Sequence, residues 1–459
     1  MSDNHADLIV LGAGPGGYAC AFRAADLGRN VVMVDPRDTL GGVCLNVGCI
    51  PSKALLHAAE VIREARQGDD WGISTGNASV DLDKLRAKKD SIVEQLTTGL
   101  VGLAKRRKVK TIRGSAQFTS DKSLEIEGES WTFDQAVIAV GSAPVRLPGW
   151  PEDDRIWDST DALELREVPK TLAIVGGGII GLEMATVYVA LGSKVTVIEF
   201  MDQIAPGAED DAVTILRAAL EAEGVAIHTG TKVTEVKASK TALTLTCEGG
   251  FESTIKAEAA IQAVGRRSNG SLVDPAAAGV EVDDRGIIPV DASCRTNVAT
   301  IFAIGDVTGN PMLAHRATHQ GHVAAEVASG HAAALDTDLI PSVAYTAPEL
   351  AWAGLTQAKA TERGIPHKVA SFPWAASGRN LSSGGGDGLT KLVYCPDTHR
   401  LLGATIVGRN AGELLAECVL AMEMGATLED VSLAVHAHPT LSETVGFAAE
   451  RALGTLTDL

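Results

Sequence analysis

Leu8-Ile9-Val10-Leu11-Gly12-Ala13-Gly14-Pro15-Gly16-Gly17 decides the fold. A short apolar strand runs into a glycine turn, a helical segment follows, and Val31-Val32-Met33-Val34-Asp35 closes the unit. This is the pattern of a dinucleotide-binding βαβ unit. Gly12 makes the tight turn, Gly14 lets a pyrophosphate approach the backbone, and Gly17 lets the helix pack on the strand. The helix N-terminus faces the phosphates, and Asp35 accepts the ribose hydroxyls.

The unit occurs twice. Leu172-Ala173-Ile174-Val175 leads into Gly176-Gly177-Gly178-Ile179-Ile180-Gly181, and Val195-Thr196-Val197-Ile198-Glu199 closes it. Gly12 and Gly176, Gly17 and Gly181, Asp35 and Glu199 all stand 164 residues apart. A Leu-Gly pair precedes the acid in both copies, at Gly28 and Gly192. A lone glycine turn would not carry the reading; two complete units do. They predict two dinucleotides, FAD and a nicotinamide cofactor. Glu199 would repel a 2′-phosphate, and Phe200, Met201 and Asp202 add no cation to bind one, so NAD is favoured over NADP.

Shortly after the first turn comes Cys44-Leu45-Asn46-Val47-Gly48-Cys49, followed at once by Pro51-Ser52-Lys53. A cysteine pair so near a bound nucleotide suggests a dithiol that exchanges electrons with the cofactor. The two can bridge only if the intervening chain bends out of extended form, and Gly48 supplies that freedom. The seven cysteines are an odd count without secreted-framework spacing, which suggests a reducing compartment. The polar, acidic first residues carry no secretory or transit signature, and no apolar run reaches membrane-spanning length. The expectation is a cytoplasmic protein with no membrane partner. A net charge of −18 argues against nucleic acid and suits a basic protein partner. The basic run Lys105-Arg106-Arg107-Lys108 reads as the solvated end of a helix.

Phe302-Ala303-Ile304-Gly305-Asp306 reads either as a carboxylate delivered at a strand's carboxyl end, where open α/β sheets bind ligands, or as a plain turn. Gly141-Ser142 and Ala263-Val264-Gly265-Arg266-Arg267 look like paired crossings between domains. His436-Ala437-His438-Pro439-Thr440-Leu441-Ser442-Glu443 is the second constellation. Pro439 biases His438 out of helical conformation. Glu443 could reach back to the His438 ring and orient a general base. The residues alone also allow a His-x-His metal pair, though no nearby Cys or Asp completes it, or a structural histidine.

Together these motifs resemble the flavin-dependent pyridine nucleotide–disulfide oxidoreductases, over essentially the whole chain. Within that family the chain is similar to the dihydrolipoamide dehydrogenases. Gly41 to Leu55 matches the redox motif, with Val43 where Thr is usual. His436 to Glu443 matches the C-terminal motif without a break. Ala303 to Asp306 with Met312-Leu313-Ala314-His315 matches the second flavin segment, and Tyr345-Thr346-Ala347-Pro348-Glu349 the opening of the dimerisation domain.

The resemblance implies roles. Cys49 is the thiol beside the flavin and Cys44 the interchange thiol that attacks the lipoyl sulfur. His438 is the base, oriented by Glu443, and both come from the partner subunit of a homodimer. Lys53 and Glu183 form a buried ion pair beside the flavin. Gly12, Gly14, Gly17, Asp35, Lys53, Gly114, Ser142, Asp306 and Ala314 hold FAD. Gly176, Gly178, Gly181, Glu199 and Gly265 hold NAD, and no metal is implied. The implied partner is a lipoyl-bearing acyltransferase or carrier protein of a 2-oxoacid dehydrogenase or glycine-cleavage complex. Departures are Val140 for a usual Thr, Ser268 where Pro is common, and the glycine-rich Ser382–Gly388 segment, expected to be a mobile hairpin loop.

The implied rivals are a glutathione-type reductase, which would want Arg after Glu199, and a redox-silent FAD-binding scaffold, which would not need the cysteines, His438 and Glu443. Mercuric reductase would need cysteines near the C-terminus, and none follows Cys418. A flavin transhydrogenase would lack the redox pair. The expected fold class is α/β, with two Rossmann-like domains, a central domain and an α+β dimerisation domain. The expected boundaries are 1–148 for FAD, 149–268 for NAD, 269–338 for the central domain completing the FAD site, and 339–459 for dimerisation.

Overall fold

In each copy of the repeat the strand with the glycine turn is buried on both faces. Leu8, Ile9 and Val10 are wholly buried, and Ala173 and Ile174 match them. Parallel strands covered on both sides carry continuous apolar runs rather than alternation, which is what these stretches show. The computed structural model describes residues 4–76 and 79–457. It divides into two units: Met1–Ala54 with Asp81–Val145 and Gly265–Thr337, and Leu55–Val80 with Arg146–Val264 and Asp338–Leu459.

The first unit is built on a seven-stranded sheet. Lys110–Arg113, Val31–Asp35, His5–Leu11 and Glu129–Ile138 run parallel in that order, and Ile301–Ala303 joins the far side of Glu129–Ile138. Ser123–Ile126 and Ala116–Ser120 extend the sheet antiparallel. The helix Pro15–Asp26 packs on the helix Ala314–Ala328 at very close range. A Cβ at Gly321 would stand 2.5 Å from the Gly16 carbonyl oxygen, so only glycine allows this crossing. The helix Leu82–Arg106 ends inside the basic run, as expected. Arg107 is not simply solvated; it pairs with Asp26 at 2.9 Å and covers the Phe22 ring.

The second unit holds two further sheets and a small three-stranded one. Ala226–His228, Lys194–Ile198, Thr171–Val175, Ala259–Gln262 and Ile156–Trp157 form a parallel sheet in that order. The strand order reverses at Thr171–Val175, as it does at His5–Leu11 in the first unit. That switch point is where open α/β sheets bind ligands. An antiparallel sheet follows, ordered Ser342–Ala344, Glu349–Gly354, Leu401–Gly408, Leu389–Tyr394 and Lys368–Pro373. The helices Ala411–Glu423, Leu428–Leu433 and Glu443–Leu453 close its core through Leu415, Cys418, Val431, Val445 and Ala448. This is the α/β architecture expected, with an α+β C-terminal part.

The glycine-rich segment lies in the connection between the paired strands Lys368–Pro373 and Leu389–Tyr394. It is fastened rather than loose. Asn380 is buried, and its amide donates to the Trp374 and Gly386 carbonyls. The paired crossings are present: Ser142–Pro144 and Arg266–Ser268 form a two-stranded antiparallel ladder in the first unit. Among the described residues, no helix is long and apolar enough to cross a membrane.

Candidate active site

The two glycine turns are near copies. Gly12 has φ +107°, and a Cβ there would fall 2.3 Å from the Ala139 carbonyl oxygen; Gly176 has φ +112° and would meet Ala263 at the same distance. A Cβ at Gly17 would sit 1.9 Å from the Gly12 oxygen, and one at Gly181 2.0 Å from the Gly176 oxygen. Gly14 and Gly178 differ from these: nothing lies within 4 Å of the place a Cβ would take. Both are helix N-caps with extended backbone, without a side-chain cap and without an acid in the first turn. An open approach to uncapped N–H groups at a positive helix end fits a pyrophosphate.

The acids are also equivalent. Asp35 Oδ2 accepts the Ala13 N–H at 2.7 Å, and Glu199 Oε2 accepts the Gly177 N–H at 2.5 Å. The other Asp35 oxygen takes the Arg37 N–H, and the other Glu199 oxygen the Met201 N–H. Each acid therefore braces its own glycine turn.

Further groups gather at the first turn. Gly114 donates its N–H to the Asp35 carbonyl. Ala314 opens its helix, again with no side-chain cap and no first-turn acid. Asp306 stands just past the strand Ile301–Ala303, and its carboxylate accepts the Ser142 hydroxyl. Arg266 donates to the same hydroxyl at 2.7 Å and to the Ser142 carbonyl. Asp306 lies in the 3-10 turn Gly305–Thr308 that directly follows this strand, so the strand end and the turn are both present. Gly265 lies in the crossing, its carbonyl taking the Val145 N–H.

The dithiol is carried onto this turn. A Cβ at Gly42 would come 2.6 Å from the Gly14 Cα, so the redox segment rests directly on the first nucleotide cradle. Cys44 lies in the helix Gly42–Val47, and Cys49 starts the helix Cys49–Gln67. Their sulfurs are 2.7 Å apart. Gly48 stands where the chain doubles back: a Cβ there would crowd the Val43 carbonyl oxygen at 3.0 Å and the Cys44 Cα at 3.2 Å. The hydrogen bond with Cys49, then burial, raises the Cys44 thiol above its ordinary value, and the Lys53 charge pulls it down. Burial, then the two sulfurs, raises the Tyr18 phenol. Lys53 lies one helical turn after Cys49. In the second unit, Glu183 is buried and accepts the Tyr345 N–H.

The C-terminal constellation belongs to the second unit. His438 Nδ1 is 2.8 Å from Glu443 Oε1, and Glu443 Oε2 accepts the Thr440 N–H at 2.7 Å. Glu443 is sheltered and His438 is 81% exposed. A carboxylate on Nδ1 fixes the tautomer with the proton there, which leaves Nε2 as an outward proton acceptor. His436 turns the other way, with Nε2 2.7 Å from Glu417 Oε1. The two histidines form two separate His–Glu pairs, not one His-x-His chelate.

The family's own model, described as pyridine nucleotide-disulphide oxidoreductase, matches residues 6–321. The chain belongs to this family. The family's dimerisation-domain model matches residues 340–449. Among curated relatives, a dihydrolipoyl dehydrogenase of Vibrio cholerae is 53% identical over 99% of this chain and 97% of its own length. One of Haemophilus influenzae is also 53% identical, over 98% and 96%, and one of Bacillus subtilis is 43% identical, over 98% and 97%. A solved structure, the HOCl-induced flavoprotein disulfide reductase RclA from Escherichia coli, superposes with a TM-score of 0.87 at 25% identity, covering 97% of this chain and 99% of that one. The chain is accordingly an NAD-dependent flavoprotein oxidoreductase with FAD and NAD(H) as cofactors, and its C-terminal part is a dimerisation domain.

Two neighbours of the motifs carried no sequence signal of their own. Tyr18 sits within a helix, and Glu417 precedes His436 by 19 residues. Only the partners they meet in the fold mark them.

Proposed function

We propose that the chain oxidises protein-bound dihydrolipoamide to lipoamide with NAD⁺ as acceptor. The observation that carries this is the Cys44–Cys49 pair, with sulfurs 2.7 Å apart on a segment resting on the Gly14 cradle. The dihydrolipoyl dehydrogenases that match over nearly their full length support it.

In the working cycle the Cys44–Cys49 pair begins as a disulfide. His438 Nε2, from the partner subunit, takes the proton of one substrate thiol. The thiolate attacks Cys44, the Cys44–Cys49 bond breaks, and Cys49 leaves as a thiolate. The second substrate thiol, once deprotonated, attacks the substrate sulfur of the mixed disulfide, releases Cys44 and closes the lipoamide ring. Two electrons and two protons now rest on the protein. Lys53 holds positive charge near the pair and favours its thiolate forms. FAD, which Gly14, Asp35, Ser142 and Asp306 would hold, would supply the electron relay between the dithiol and NAD⁺. The net reaction is dihydrolipoamide plus NAD⁺ to lipoamide, NADH and a proton.

The same reading assigns residues 1–148 to FAD, 149–268 to NAD, 269–338 to completion of the FAD site and 339–459 to dimerisation. It takes a lipoyl-bearing acyltransferase or carrier protein in a reducing cytoplasm as the physiological partner. The test is steady-state turnover of dihydrolipoamide with NAD⁺ by the purified holoenzyme. Cys44→Ser, Cys49→Ser and His438→Ala should each lose at least about a thousandfold, with flavin content unchanged. Full turnover by either cysteine variant would overturn the reading.

A further inference from the structure

We infer that His436 and Glu417 are positioning residues for the base, setting where the loop presents His438. The inference rests on the proposed role of His438. From Ala434 to Ser442 the chain is neither helix nor strand, so no backbone ladder fixes this loop. Its downstream side is well held. Glu443 takes the Thr440 N–H, and the Thr440 hydroxyl bonds the Ala437 carbonyl. Beyond that, the buried Thr444 hydroxyl meets Thr390, which accepts the Trp374 indole N–H.

The upstream side is different. Leu433, Ala434, Val435, Ala437, His438 and Pro439 are all exposed, with Val435 fully so. His436 alone turns inward, its side chain 13% exposed. Its Nε2 meets Glu417 on the helix Ala411–Glu423, and its ring lies against Gly446 on the helix Glu443–Leu453. A Cβ at Gly446 would stand 3.2 Å from two ring atoms, so that glycine makes the seat for the imidazole. The ring therefore ties the loop to both helices two residues before the base. Without it, His438 keeps Glu443 but loses the upstream constraint on its backbone. A displacement of about 1 Å in a reacting group can cost on the order of a hundredfold in rate.

The experiment compares His436→Leu, which removes the bond, with His436→Gln, whose amide can still donate to Glu417, in the dimeric holoenzyme. His436→Leu should lower kcat for dihydrolipoamide by roughly ten- to a hundredfold. KM for NAD⁺ and the melting temperature should stay at wild-type values. His436→Gln should recover most of the lost kcat, and Gly446→Ala, whose Cβ would press on the ring at 3.2 Å, should resemble His436→Leu in direction with a smaller effect. An unchanged kcat in His436→Leu would overturn the inference. So would a fall in kcat that follows loss of dimer or melting temperature and is not recovered by Gln. Full turnover by His438→Ala would instead overturn the base assignment, so the two failures are distinguishable.

Discussion

The two glycine turns have nearly the same backbone and quite different surroundings. Gly12 and Gly176 meet a carbonyl at the same distance, and each acid braces its own turn. Around the first turn the fold adds Gly42 with the dithiol, the Ala314 helix end, and Asp306 with Ser142 and Arg266. At the second turn the Ala205 N–H meets the Gly177 carbonyl instead. The buried ammonium of Lys391 on the C-terminal sheet meets Glu209 and Asp211 at the start of the helix Asp210–Ala222, both at 3.0 Å. One backbone motif thus stands in two settings, the first with the dithiol segment resting on its cradle.

Substitutions can break this comparison. Gly17→Ala should have the largest effect, because its Cβ collides with the Gly12 oxygen at the turn meant to retain FAD. The purified protein should be colourless, with no flavin absorbance. Lys391→Met leaves the carboxylates of Glu209 and Asp211, in the same unit as the second turn, without their cation. Losing one partner of a buried pair costs about 3–5 kcal/mol. The shift at Lys391 sets the sign with pH: burial lowers its pKa, but the bonds to Asp211 and Glu209 outweigh burial and leave it raised. The ion pair's stabilisation is therefore present below the ordinary lysine value and is lost as pH rises through the raised one. Thermal melts should show the Lys391→Met deficit at neutral pH and a smaller one at strongly alkaline pH.

Gly181→Ala repeats the Gly17 collision at the second turn. Overpacking of about 1–3 kcal/mol there predicts a rise in KM for NAD⁺ of roughly ten- to a hundredfold, with flavin retained. A colourless Gly181→Ala protein would show that the turns are not functionally separate. The smallest effect on cofactor choice belongs to Glu199→Gln, which removes the charge and keeps one of the two acceptors the Gly177 and Met201 N–H groups use. The kcat/KM ratio of NADP⁺ to NAD⁺ should rise by about tenfold, corresponding to about 1.4 kcal/mol. No change would place the cofactor preference elsewhere in the second unit.

The features legible in the chain are those whose geometry closes within a few residues. The glycine turns, the bend at Gly48, and the five-residue reach from His438 to Glu443 are all local. For such features backbone sterics and short loop closure leave few alternatives, so the residue types alone specify the shape. The destination of Leu55–Val80 in the second unit was not legible. An amphipathic helix such as Cys49–Gln67 announces that it has a buried face but not what covers it.

The sequence by itself thus determined two glycine turns in βαβ units, a cysteine pair shortly after the first, an acid closing each unit, and a His–Glu spacing near the C-terminus. Only the tertiary structure decided that Gly42 rests on Gly14, that Ser142 links Asp306 to Arg266, that Gly321 admits Gly16, and that His436 is tied to Glu417. Those contacts join distant segments, and no local periodicity encodes them. They form because burying the apolar faces around them brings the segments together, and each polar group so buried must then find a partner.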